Sequence, residues 1–133
     1  MPSGRRHYRI NLADAETAHY LAQQTGGLVG PPNWPLVESA IARPYDGYHR
    51  SISQKAAALV HGVAKNHGFV DGNKRTAIIL MHLLLTRSRY RLEALPGENL
   101  QDVVERMVLA VVEDQLSYDD LVGWFQARIE PQA

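Results

Sequence analysis

The chain contains no cysteine. That absence excludes disulfide staples, thiolate metal sites and a cysteine nucleophile together, and it agrees with a reducing compartment. Net charge is missing as well: 14 lysines and arginines balance 14 aspartates and glutamates, so no global field draws the protein to nucleic acid or to an anionic membrane. Any anion site must be local. Long hydrophobic runs are also lacking. The longest, Ala77 to Leu85, includes His82 and has about half the length that a membrane span requires. It reads as a buried helix, with His82 as a hydrogen-bonded core residue. Residues 1–10 carry Arg5, Arg6 and Arg9, followed by Asn11-Leu12-Ala13-Asp14 in place of an apolar stretch, so no signal peptide is expected. The expected location is cytoplasmic.

What is present suits one folded unit. At 133 residues, with 45% hydrophobic and 21% charged residues, the chain has the size and composition of a single-core globular protein. One domain over residues 1–133 is expected, with residues 1–10 as a flexible lead.

Periodicity assigns the elements. Leu12 to Gln24 has few breakers and ends at Thr25-Gly26-Gly27, which predicts a first helix and its termination. The prolines of Gly30-Pro31-Pro32-Asn33-Trp34-Pro35 bar regular helix and mark a loop or flap. Leu36 to Ala42 can be helical, and Pro44-Tyr45-Asp46-Gly47-Tyr48 reads as turn chemistry. In Ser51 to Lys65, the positions of Ala56, Leu59, Val60 and Val63 predict a helix with one buried stripe. Residues 73 to about 88 have no glycine or proline and are apolar on almost all sides between Ala77 and Leu85, the pattern of a central helix. Tyr90-Arg91-Leu92 is a short extended piece. Asn99 caps a helix from Leu100 to about Glu113, with a stripe of Val103, Met107 and Val111. Ser117 and Asp120 form a capping pair that opens a last helix to about Ile129, with Leu121, Trp124, Phe125 and Ile129 on its apolar face. Strand-like alternation is scarce, and the predicted class is all-α.

Lys74 and Arg75 then stand out, because they occupy the first turn of the central helix, where the macrodipole is positive and cations are disfavoured. A phosphate there would meet the free N–H groups of the helix start, complement the dipole and neutralise both side chains. Gly72 lets the backbone approach such a ligand. The alternative is a solvated pair of surface cations. Asp71 has two candidate roles as well: an N-cap, or a magnesium ligand beside a bound polyphosphate. His67 is near enough in sequence to face the same anion and to take a proton from an attacking hydroxyl, and Phe69 anchors the loop. The other histidines, His7, His19, His49, His61 and His82, lack zinc-site spacing. Gly72-Asn73-Lys74-Arg75-Thr76 lacks the paired glycines of a Walker loop, which excludes a P-loop fold.

The run His67-x-Phe69-x-Asp71-Gly72-Asn73-Lys74-Arg75-Thr76 resembles the signature of the Fic/Doc family, in the form found in Doc (death-on-curing) toxins. The similarity extends to Gly26-Gly27, to Leu36 through Pro44 and to the Ala56-Ala57-Ala58 helix. The resemblance implies a compact Fic-fold bundle of about six helices around a central buried one, with a short flap or hairpin. It implies His67 as the catalytic base for a protein hydroxyl, Asp71 as the magnesium ligand, and Gly72, Asn73, Lys74 and Arg75 as the phosphate cradle. Lys65 stands where Doc-like sequences carry a cation that helps hold nucleotide, although a surface helix end accounts for it equally.

The adenylylating Fic pattern has glycine where Lys74 stands and a second arginine where Ile78 stands, so the resemblance favours a reversed nucleotide offering its γ-phosphate. It implies an ATP- and magnesium-dependent kinase of a toxin-antitoxin system, which phosphorylates a hydroxyl of an EF-Tu-like translation factor and blocks translation. The alternatives are protein adenylyl transfer with the same His67, and a non-catalytic anion-binding module. Gly68 and Asn33-Trp34 depart from relatives, which bears on target docking. No (Ser/Thr)-x-x-x-Glu-(Gly/Asn) inhibitory segment is found, so control is expected from a Phd-like antitoxin.

Overall fold

The computed structural model describes residues 6–24, 26, 30–65 and 72–132. Among them are six α-helices: α1 (Leu12–Gln23), α2 (Trp34–Ala42), α3 (Ile52–Lys65), α4 (Asn73–Arg87), α5 (Leu100–Val112) and α6 (Tyr118–Gln126). A 3₁₀ turn (Arg43–Tyr45) follows α2, and two short strands, β1 (Tyr90–Leu92) and β2 (Ile129–Pro131), complete the fold. The class is all-α, as the periodicity predicts.

The helix starts follow from local chemistry. Asn11 accepts from the Asp14 N–H while Asp14 accepts from the Asn11 N–H, and Ser117 and Asp120 form the same reciprocal pair at α6. Two orphan donors are satisfied each time, with aspartate in place of the usual longer acid. Asn33 caps α2 by accepting from Leu36 N–H at 3.3 Å. That helix begins at Trp34, inside the stretch expected to bar helix, because Pro35 falls in the first turn, where its missing N–H costs nothing.

The core runs along α3, which buries Ala56, Ala57, Leu59, Val60 and Val63 and packs on α2, α4, α5 and α6. Its buried surface is far wider than the single stripe expected. Alanine and glycine make this possible: Gly62 lies so close to α2 that a Cβ would sit 3.5 Å from the Ala40 carbonyl. The central position is therefore shared, with α3 the more enclosed and α4 carrying one open edge. His82 lies on that edge and is exposed, not in the core. The reason is geometric, since Ala77, Leu80, Met81, Leu84 and Leu85 already fill the faces of α4 toward α3 and α1.

Two further boundaries differ from expectation. The last helix ends at Gln126, and Ile129 pairs with Leu92 in an antiparallel ladder, opposite the extended piece expected at 90–92. An isolated periodicity reading cannot see a strand whose partner lies about 40 residues away. On α5 the buried residues are Val104, Met107, Val108 and Val111, with Val103 half-buried, so the stripe is rotated by about one position. The segment before α1 is tied down from Tyr8 onward. Tyr8 N–H donates to Ser88 Oγ at 2.7 Å, and the Tyr45 hydroxyl donates to the Tyr8 carbonyl and accepts from Ile10 N–H.

Candidate active site

The first turn of α4 brings together four of the residues singled out in the sequence. Gly72 occupies the N-cap at φ 86°, a left-handed conformation that costs a side-chain-bearing residue, and it offers no side chain to the helix start. No acidic residue lies in the first turn. The first backbone bond of α4 runs from Thr76 N–H to the Gly72 carbonyl at 2.8 Å, so the N–H groups ahead of it point along the axis, out of the helix. Asn73 is half-buried, while Lys74 and Arg75 are exposed. Neither cation has an ion pair among the described residues. One arm of Arg75 is committed: Nη1 donates to the Gly26 carbonyl at 3.2 Å.

Asp71 and His67, with Gly68 and Phe69, lie outside the described residues.

A cleft of about 410 Å³ opens beside the helix start, lined by Lys74, Arg75 and Ile78 of α4 and by Glu105, Val108 and Leu109 of α5. A second cleft of about 270 Å³ shares Ile78 and Glu105 and continues past His82, Leu100, Gln101 and Val104. The open edge of α4 is thus one wall of a groove with cations at one end and an apolar floor. Ile78, the position where the adenylylating pattern has an arginine, belongs to that floor. Thr76 is fully buried behind it, and its hydroxyl has no hydrogen-bond partner among the described residues.

The Lys65 ammonium is paired with the Asp114 carboxylate, on the turn that ends α5. Asp114 itself adopts a left-handed φ of 59°. One turn before Lys65, burial and then the Lys65 ammonium push the half-buried His61 imidazole down, so its neutral form is favoured. Sequence reading missed the α5 wall. The signal was available in Glu105, Val108 and Leu109, which share a face at three- and four-residue spacing.

The donor set suits a polyphosphate: an N-cap without a side chain, two cations and no carboxylate in the first turn. The described residues hold no group of three His, Asp or Glu side chains placed for a metal. A magnesium ion would draw on Asp71 and on phosphate oxygens. No helix among the described residues is long and apolar enough to cross a membrane.

Comparison with known proteins agrees with this geometry. A curated relative, Toxin Doc of Mycolicibacterium smegmatis (strain ATCC 700084 / mc(2)155), is 45% identical over 74 residues. The match spans 51% of this chain and 55% of the relative, so it covers about half of each. The model of the Fic/DOC family matches residues 10–85, which include α1 through most of α4 and the whole His67–Arg75 segment. The chain belongs to the Fic/DOC family.

Proposed function

We propose that this protein is a Doc-type toxin, a kinase that transfers the γ-phosphate of ATP to a hydroxyl of an EF-Tu-like translation factor, restrained by a Phd-like antitoxin. The observation that carries the reading is the crowding of Lys74 and Arg75 at a helix start capped by Gly72, beside a floor in which Ile78 offers no cation. In this arrangement the terminal phosphate lies against the N–H groups of α4, with Lys74 and Arg75 neutralising it. Asp71 would hold a magnesium ion, which would supply further charge neutralisation for the phosphates. His67 takes the proton of the target hydroxyl as its oxygen bonds to the γ-phosphorus, and the bond from that phosphorus to the bridging oxygen breaks, leaving ADP.

Support for the donor end comes from the apolar floor, since an α-phosphate placed along it would lack the second arginine of the adenylylating pattern. The toxin reading rests on family membership and on the partial match to Toxin Doc. The test is to incubate the protein with magnesium and the translation factor, using ATP labelled at either the α- or the γ-phosphate. Label retained from the γ-position only is the expected result. Label from the α-position means adenylyl transfer, and no label from either, together with unaltered growth arrest by His67→Ala, leaves a non-catalytic module.

A further inference from the structure

A third cleft, of about 430 Å³, lies toward the other end of α3 and is lined by Tyr45, Gly47, His49, Arg50 and Lys55. We propose that it is a second anion site, built for a dianionic phosphate group and separate from the cradle at α4. Its lining shares no residue with the cleft beside the start of α4.

Among the described residues the lining carries two fixed positive charges, a histidine and no carboxylate. In a chain of zero net charge this imbalance is local. Lys55 is half-buried, and its described polar partner is a neutral one: Nζ lies 2.7 Å from His7 Nδ1, which must accept from the ammonium. Neither Lys55 nor Arg50 forms an ion pair among the described residues. Partial burial without a counter-ion destabilises the Lys55 ammonium and pushes its pKa down. A bound anion would relieve that cost.

The surroundings leave these cations available. Gln54 Oε1 already accepts from the Arg50 and Ser51 N–H groups, and Ser51 Oγ accepts from Gln54 N–H, so the start of α3 is capped by its own side chains. The site thus depends on side chains and not on the helix end. Asp46, the carboxylate nearest in sequence, accepts from Tyr48 N–H and lies 3.9 Å from His49 Nε2. His49 Nδ1 is held by the Tyr118 hydroxyl at 2.7 Å. The Tyr45 hydroxyl is engaged by Tyr8 and Ile10, so the ring is left to form the wall, with Arg9 stacked over it at 4.8 Å. A cleft of this volume accepts a phosphate with an organic group attached, and the Tyr45 ring is the surface such a group would meet.

The test titrates the full chain with inorganic phosphate and, separately, with phenyl phosphate, by calorimetry. Lys74→Gln with Arg75→Gln weakens the cradle, and Lys55→Met and Arg50→Gln, each made in that background, probe the second site. Saturable phosphate binding should persist in the double variant and weaken about tenfold or more when Lys55 or Arg50 is also replaced. Arg50 is exposed, so its variant guards against a folding defect in Lys55→Met. Tighter binding of phenyl phosphate assigns the ligand to organic monoesters, and equal binding assigns it to the phosphate group alone. If Lys74→Gln with Arg75→Gln abolishes all saturable binding, or the addition of Arg50→Gln leaves binding unchanged, the second site does not exist.

Discussion

Arg75 and Gly26 are joined across 49 residues by one hydrogen bond, Nη1 to carbonyl oxygen at 3.2 Å, which couples the start of α4 to the turn after α1. Among the described residues the same guanidinium makes no other hydrogen bond. An arginine suits a double duty, to that carbonyl and to a ligand, because its planar fork can serve two acceptors at fixed angles, which a lysine ammonium does not reproduce. Replacing Arg75 should therefore separate charge from geometry. Arg75→Gln is expected to lower kcat/KM for ATP by about a hundredfold and Arg75→Lys by about tenfold. Steady-state kinetics with a purified target measures both. Equal losses would mean that the fork geometry alone matters, and full activity in Arg75→Lys would mean that charge alone does.

Gly72 makes a second prediction, on the link between backbone and stability. Among the described residues its φ of 86° is the obstacle to a side chain, since a Cβ there would meet Ala22 Cβ at 3.6 Å, an ordinary contact. Gly72→Ala should cost about 1–2 kcal/mol, a fall of roughly 3–8 °C in the melting temperature of a chain this size. Gly72→Asn should recover part of it, because asparagine tolerates the left-handed region better. Calorimetric melts decide this, and equal losses for both variants would point to a contact in place of backbone strain.

The pair of Lys65 and Asp114 is a third case, in which a visible ion pair should matter little to folding. The Lys65 side chain is 32% exposed and that of Asp114 77% exposed, so solvent screening leaves the pair worth about 0–1 kcal/mol. The φ of 59° at Asp114 contributes more to the choice of residue. Asp114→Gly and Asp114→Asn should match or exceed the parent in urea midpoint, with Asp114→Ala the lowest. A large loss in Asp114→Asn alone would show that the charge pair is structural.

These cases also mark what sequence could and could not disclose. The caps at Asn99 and Ser117 were legible because each lies within three residues of the N–H it satisfies. The cluster of Gly72, Asn73, Lys74 and Arg75 was legible because one helical turn carries it. The α5 wall of the cleft, the Arg75 bond to Gly26 and the pairing of Lys65 with Asp114 join residues 30 to 49 positions apart, and no local pattern encodes such distances. His82 was misplaced for a related reason. Hydropathy on both sides of it predicted enclosure, whereas the direction it faces depends on where α5 leaves a groove.

Glu98 and Arg128 supply the last prediction, which concerns pH. Arg128 is 8% exposed. Its Nε and Nη2 grip both Glu98 oxygens at 3.0 and 2.5 Å, its Nη1 donates to the Trp124 carbonyl, and its guanidinium lies 4.3 Å from the Trp124 ring centre. The Arg128 hydrogen bond, then the Leu95 N–H, hold the Glu98 carboxyl below its usual range. A carboxyl depressed in the folded state stabilises the fold fully above its unfolded value of about 4.3 and loses that contribution as pH falls through the folded value. The urea midpoint should therefore fall between about pH 5 and pH 3. Asp120, held down by the Ser117 backbone and side chain, acts in the same window, so the readout is the difference between the parent and Glu98→Gln. That variant should start lower at pH 6, because it leaves a nearly buried guanidinium without its carboxylate, and should decline less steeply in acid. Parallel curves for the two proteins would place the acid sensitivity elsewhere and leave the forked contact without a thermodynamic role.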